Sequence, residues 1–175
     1  LSFSLKTDAY TFSDRYDARE NSFALAGYLN KRVRTFNVGA NVAVDINNVE
    51  GAMNILGASG VSNSVASANP YISFKGANYT IQLGANLVSE FGDQSSFNIF
   101  PKAEIDFSLV PEYFYIFGGV TGGVERGSYR EFARQNPFLA SGVTIQNTIE
   151  RMHAYGGIKG NAGATFGWKA KAFYR

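Results

Sequence analysis

The chain has 175 residues, enough for one domain with a sizeable core. Its 16 basic and 14 acidic residues nearly balance, so the charge does not indicate a nucleic-acid partner. Cysteine is absent, which excludes disulfides, thiolate metal sites and cysteine nucleophiles. No apolar run is long enough for a transmembrane helix. We expect neither a cofactor nor a bound metal.

Apolar and polar residues alternate over long segments of the N-terminal half, which is the period of a β-strand with one apolar face. The predicted strands are residues 1–12, 21–30, 33–46, 71–75 and 79–91. They are separated by a charged loop at 13–21, a turn at 30–32, a long Gly/Ser/Asn-rich loop at 47–69 and a tight turn at 76–78.

The clearest alternation runs through residues 97–109. One side carries Phe97, Ile99, Ile105 and other apolar residues, whereas the other side carries the charges of Lys102, Glu104 and Asp106. The segment is about twice as long as an ordinary strand of about 5–6 residues, and it matches the ~9–11 residues of a tilted transmembrane strand. A charged face opposite a Phe/Ile/Leu face is typical of a barrel wall between lipid and water.

The C-terminal third predicts a turn at 110–112 and strands at 113–124, 151–159 and 166–174. The irregular stretch 125–150 should contain a short helix, because Ser128 and Glu131 form a capping-box pattern and Asn136-Pro137 would end it. This makes about nine strands, joined alternately by long and short connections. The pattern predicts an all-β protein, an antiparallel up-and-down transmembrane β-barrel, with residues 1–175 as one barrel domain or barrel segment. Because the strand number is odd, we expect the barrel to be completed elsewhere, by further sequence or another chain.

If the apolar set faces lipid, the polar set lines a lumen. The principal lumen-lining candidates are Lys102, Glu104, Asp106, Asn41, Asp45, Asn86, Glu90, Lys169 and Lys171, and the same face should include Lys6, Asp8, Asn37 and Gln82. Both signs of charge occur, so neighbouring strands could pair them. A wet interior would remove most of the cost of burying them.

Two further polar features of the sequence bear on function. Arg126, Arg130 and Arg134 have the spacing of one helical face, and we predict a basic patch in an external loop that could meet lipopolysaccharide phosphates or an anionic solute. A solvated helix face is the more common meaning of such spacing. The single histidine, His153, has no nucleophile and orienting group around it in the sequence, so we expect no enzyme activity.

The duplicated Gly-Ala-Asn strands at 35–42 and 80–87, the aromatic content and the Asn-Pro-Phe loop together resemble outer-membrane β-barrel proteins of Gram-negative bacteria. The similarity is greatest to large Bacteroidetes-type barrels, including the barrel part of TonB-dependent receptors. No plug domain or TonB box is visible, so gated active transport is not implied.

The resemblance implies a bacterial outer-membrane location and porin-like passage or uptake of an unidentified solute. The implied partners are membrane lipid or lipopolysaccharide, and other outer-membrane or periplasmic proteins. Two alternatives stay open. A soluble ligand-binding β-barrel would enclose its ligand with the apolar face, and an outer-membrane barrel enzyme acting on lipid would place His153 beside a Ser or Asp.

Overall fold

The computed structural model describes residues 1–15, 17–53, 57, 59–136, 138, 143–162 and 166–175. These residues form nine β-strands and one short helix. The elements are β1 (Ser2–Ser13), β2 (Arg19–Val33), β3 (Phe36–Met53), β4 (Ser59–Lys75), β5 (Tyr79–Gly92), β6 (Ser96–Val110), β7 (Phe114–Glu125), α1 (Tyr129–Gln135), β8 (Thr148–Ala162) and β9 (Phe166–Tyr174). None of the described helical structure has the length and apolar character needed to cross a membrane.

The nine strands of the described chain form a single antiparallel sheet in chain order. This confirms the predicted all-β, up-and-down meander. The sheet is not closed into a barrel, because β1 and β9 each have one edge with no strand beside it in the described structure.

The predicted loop at 47–69 is wrong, because β3 continues to Met53 and β4 begins at Ser59. Its small polar residues conceal the strand period, since side chains on both faces are polar there. The turn predicted at 30–32 is also displaced. Strand pairing continues to Val33 and Phe36, and the turn is made by residues 34–35, where Arg34 has a positive φ of 52°. In the part of the chain that the structure describes, the connection between Glu125 of β7 and Thr148 of β8 is therefore the longest.

The sheet curves toward its polar face. The Asn86 amide of β5 donates a hydrogen bond to the Gly122 carbonyl of β7 at 2.8 Å, passing over β6. Just beyond β7, Arg126 reaches Glu20 of β2 and Asp45 of β3. Side chains of such distant strands meet across a face only if that face is concave. The concave side is therefore the polar one.

Burial is reversed relative to an ordinary soluble sheet. On the convex face Phe3 is 75% exposed, and Phe97 and Ile99 are each 64% exposed. On the concave face Glu20 and Asn47 are fully buried. Most of the exposed large apolar side chains of the strands thus lie outside, and polar side chains form much of the interior, together with buried Phe100 and Phe117.

The Gly-Ala-Asn repeat has a structural explanation at Tyr71. Gly39 of β3 and Gly84 of β5 are its two cross-strand partners, one on each side of β4. The Tyr71 ring lies over Gly39, where an added Cβ would come within 2.5 Å of the ring. Its hydroxyl accepts a hydrogen bond from the Asn30 amide of β2 at 3.0 Å. The two glycines make room for one aromatic residue that lies across neighbouring strands.

This arrangement predicts that Gly39→Ala destabilises the protein. The new methyl group would displace the Tyr71 ring and break its contact with Asn30, at a cost of about 1–3 kcal/mol. Urea unfolding in detergent micelles measures the effect. Gly156→Ala is the matched control, because its Cβ would meet only ordinary contact, 3.8 Å from the Phe117 carbonyl. Equal stabilities of the two variants would contradict the proposed role of Gly39.

Candidate functional site

The strand register places the predicted lumen residues on one face. Asp106 pairs with Phe117, Phe117 with Gly157 and Gly157 with Lys171, and directly paired residues point to the same side of a sheet. The same reasoning applied to every strand pair assembles all thirteen candidates on the concave face. They are Lys6, Asp8, Asn37, Asn41, Asp45, Gln82, Asn86, Glu90, Lys102, Glu104, Asp106, Lys169 and Lys171.

The described residues between β7 and β8, namely 126–136, 138 and 143–147, are called here the inner segment, and those that contact the sheet lie over this face. The segment contains α1, which begins as predicted: the Ser128 hydroxyl caps the helix by accepting a hydrogen bond from the Glu131 backbone N–H at 3.4 Å. The helix ends at Gln135 with Asn136 as its C-cap, and Pro137 lies outside the described residues. The inner segment covers the end of the concave face that is opposite the short turns.

Glu20 anchors the inner segment to β2. Its carboxylate accepts hydrogen bonds from the Ser128 hydroxyl at 3.0 Å and from the Arg130 backbone N–H at 2.6 Å. It also accepts from the Tyr10 hydroxyl at 3.1 Å and pairs with Arg126 at 3.2 Å. Buried carboxylates are rare unless they are satisfied in this way. The full set of donors explains how Glu20 can be completely buried.

Arg126 is the central cation of this network. Its Nε donates to Asp45 at 2.9 Å and its Nη1 to Glu20 at 3.2 Å, so one guanidinium joins β2, β3 and the end of β7. Burial lowers the pKa of Arg126, but hydrogen bonds with Tyr10, Asp45 and Glu20 and the charge of Asp45 raise it by more. The net pKa is therefore raised, and Arg126 stays charged.

The arginines do not form the basic patch expected from their spacing. Arg126 precedes α1 and turns toward the concave face. Arg130 lies with its guanidinium carbon 3.6 Å from the centre of the Tyr10 ring, and only Arg134, in the last turn of α1, is exposed. Spacing of four residues produced the prediction, but the helix begins only at Tyr129, so the three side chains cannot share one helical face.

A second set of hydrogen bonds ties the inner segment to β4 and β5. The Asn63 amide donates to the Gly127 carbonyl at 2.7 Å and to the Asn147 side-chain oxygen at 3.1 Å. The Asn147 amide in turn donates to Glu90 at 2.8 Å. The segment is thus held at both of its ends, by charged groups at one and by amides at the other.

A small apolar cluster lies beneath the helix. It consists of Ala18, Val49, Ala52, Val61, Tyr129 and Ile145. The hydroxyl of buried Tyr129 donates to the Asp14 carboxylate. Burial raises the pKa of Tyr129 to about 12, and the hydrogen bond and charge of Asp14 act in the same direction. This cluster fixes α1 against the ends of β1, β3 and β4.

His153 also lies on the concave face, away from this network. Its ring stacks on Phe173 at 5.6 Å, and its Nδ1 lies 3.1 Å from Glu150. Arg175 Nε lies 3.0 Å from the same Glu150 oxygen and donates to His153 Nδ1 at 3.1 Å, so the three side chains form one cluster. Among the residues that the structure describes, no nucleophilic side chain is hydrogen-bonded to His153.

Sequence reasoning missed Glu20, Tyr10, Asn63 and Asn147. Glu20 falls in a charged stretch that reads as a solvated loop, and its partners are distant in sequence; Ser128, for example, is 108 residues away. No local pattern identifies such contacts. A search of the described residues finds no group of three His, Cys, Asp or Glu residues that could hold a metal ion.

No protein-family model, no curated protein and no solved structure matches this chain. The functional argument therefore depends on the geometry of the concave face and the inner segment.

The Glu20 anchor predicts that Glu20→Gln loosens the inner segment. A neutral amide cannot stabilise the Arg126 guanidinium as a carboxylate does, and charge-assisted hydrogen bonds contribute about 1.5–3 kcal/mol. Trypsin cleavage after Arg126 and Arg130 should accelerate by about tenfold or more, because local opening exposes these bonds. Glu50→Gln, an exposed change on the convex face, is the control, and identical cleavage rates in both variants would refute the anchoring role.

Tyr129 predicts a loss of stability at high pH. Its folded pKa of about 12 lies above the ordinary value of 10.0, so its contribution is complete below about pH 10 and is lost as pH rises through about 12. Tyr129→Phe should be less stable than wild type at pH 8, and the difference should shrink by about 2 kcal/mol by pH 12. Urea unfolding measures this, with exposed Tyr113→Phe as control. A gap between wild type and Tyr129→Phe that does not change with pH would contradict the prediction.

Proposed function

We propose that the chain forms the wall of an outer-membrane β-barrel whose polar interior allows passive passage of a solute. The observation that carries this proposal is the reversed burial, with large apolar side chains outside and charged and amide side chains inside. Soluble monomers rarely expose contiguous apolar patches larger than a few hundred Å². Here exposed apolar residues occur on the convex face of strand after strand, from Phe3 and Leu5 in β1 to Phe166 in β9.

Strand length supports the same proposal. The shortest strand, β9, has 9 residues and the longest, β3, has 18. A tilted strand needs about 9–11 residues to cross the hydrocarbon layer. The additional length of β2, β3 and β4 carries polar residues that would stand in the aqueous zone beneath the inner segment.

The concave face suits water better than a dry core. Lys102 and Glu104 are 3.9 Å apart, a weak contact, and both retain solvent exposure. Isolated charges in a dry interior cost several kcal/mol each. The opposite arrangement, an apolar concave face around a ligand, is what a soluble ligand-binding barrel requires, and the observed curvature disfavours it.

The inner segment would restrict passage. It occupies the concave face at the end where the longer connections lie, and its charged anchor is fixed on three strands. A solute would pass beside it, along the polar strands β5 to β9. In this role Arg126 and its partners hold the constriction, and the lysines and carboxylates farther down the wall contact the solute.

Closure requires more strands than the nine described here. Each antiparallel step reverses direction, so β1 and β9 run the same way. Pairing them directly would make a parallel contact, whereas single-chain bacterial barrels have an even number of strands. We therefore propose that an odd number of further strands, from additional sequence or another chain, completes the wall.

Spin labels on β6 test the assignment of the two faces. The chain has no cysteine, so Lys102→Cys, Ala103→Cys, Glu104→Cys and Ile105→Cys each give a single labelling site. In lipid vesicles, spin labels at positions 103 and 105 should collide frequently with molecular oxygen, because oxygen concentrates in the hydrocarbon layer. Positions 102 and 104 should collide with a water-soluble nickel chelate, and the alternation follows from the period of the strand.

Two outcomes would overturn the proposal. One is equal access of the nickel chelate at all four positions. The other is a protein that stays monodisperse without detergent while Ile105 is shielded from water, as expected for a soluble ligand-binding barrel.

A further inference from the structure

The concave face of β6 to β9 carries an excess of lysine below its loop end. Lys102, Lys159, Lys169 and Lys171 face only two carboxylates there, Glu104 and Asp106. Asp106 pairs with Lys159, and Glu104 lies near Lys102. Within the described residues, Lys169 and Lys171 have no carboxylate at ion-pair distance. The uncompensated charge of this region is therefore positive.

Two of these lysines are direct neighbours. Lys159 of β8 and Lys169 of β9 are cross-strand partners, an arrangement in which like charges repel. Their ammonium groups lie 5.4 Å and 4.8 Å from the centre of the same Phe117 ring. An aromatic face attracts cations, so the ring helps to hold both charges close together. Asp106 offsets the charge of Lys159 but not that of Lys169, and a bound anion would reduce the repulsion that remains between the two lysines.

A cavity of about 410 Å³ opens between these lysines at the short-turn end of the sheet. Tyr115, Asn161 and Gly167 line it together with Lys159 and Lys169, and Trp168 borders it from the convex side, where its ring packs against Phe114. The Tyr115 oxygen accepts a hydrogen bond from the Glu112 backbone N–H at 3.0 Å, which leaves its own proton for another acceptor. Gly160 and Gly167 contribute no side chains, and the cavity stays open at that point.

We propose that this cavity binds a phosphate or carboxylate group, with Lys169 supplying the uncompensated charge, Lys159 a second ammonium group beside its Asp106 pair, and Tyr115 one hydrogen bond. Two ammonium groups and a hydroxyl donor match the acceptor oxygens of such an anion. This anion site extends the proposed function, because it identifies the solute as an anion. It depends on the proposed function only for the route by which the anion reaches the cavity.

A fluorophore attached to the variant Gly167→Cys provides the test, because Gly167 lines the cavity on the same face as Lys169 and the chain has no other cysteine. Iodide, an anionic quencher, should quench its fluorescence strongly in nonionic micelles at low salt. Lys169→Gln should lower the iodide quenching constant by about threefold or more, because a cleft of one charge concentrates counter-ions. Lys31→Gln, the same charge change at an exposed site on the convex face, should have no effect. Neutral acrylamide should quench all three proteins equally, which verifies folding.

Inorganic phosphate and phosphatidylglycerol then identify the source of the anion. Saturable protection of the fluorophore at position 167 from iodide by free phosphate, lost in Lys169→Gln and in Lys159→Gln, supports a solute site. Protection by phosphatidylglycerol alone supports a lipid headgroup as the phosphate source. Absence of protection by either, or equal iodide quenching in Lys169→Gln and Lys31→Gln, overturns the proposal. The quenching is measured in detergent micelles and does not depend on which face of the protein contacts lipid. The spin-label test can therefore refute the proposed function while the anion site is still observed.

Discussion

The guanidinium of Arg126, held between Glu20 and Asp45, determines which side of the sheet is its interior. These groups belong to the end of β7 and to β2 and β3, and they meet only when the polar face is concave. Curling the sheet the other way would leave Glu20 without its donors, and a buried carboxylate without partners is strongly destabilising. The network therefore specifies the direction of curvature and the position of the inner segment together.

This constraint matters because the described sheet has little apolar core of its own. Six of the nine buried apolar residues in the described chain cluster under α1, around Val49, Tyr129 and Ile145, at one end of the nine-stranded sheet. Elsewhere Val88, Phe100 and Phe117 are buried on the concave face, but the strands are joined mainly by backbone hydrogen bonds, and most of their exposed large apolar side chains face outward. Hydrocarbon outside would bury that surface, which is why lipid is a structural requirement of the proposed function and not merely its location.

The sequence predicted what depends on local periodicity. Segment 97–109 alternates without exception from Pro101 onward, and it became β6 with the expected faces. The capping box at Ser128 and Glu131 likewise acts over one turn and was recognised. The strands within residues 47–69 were not predicted, because small polar residues on both faces conceal the two-residue period. The role of Glu20 was not predicted, because its hydrogen-bond partners come from distant parts of the chain. In the sequence, its charged stretch looks the same as a solvated loop.

The distribution of uncompensated charge connects the fold with the proposed solute. Carboxylates near the inner segment are satisfied locally: Glu20 by four donors, Asp45 by Arg126 and Glu90 by Asn147. Their field toward the rest of the interior is therefore largely cancelled. Lys169 and Lys171 have aromatic neighbours in place of carboxylates, so their charge is not cancelled. Because screening in water is strong beyond about 10 Å, the charge nearest to a solute dominates, and along β8 and β9 that charge is positive.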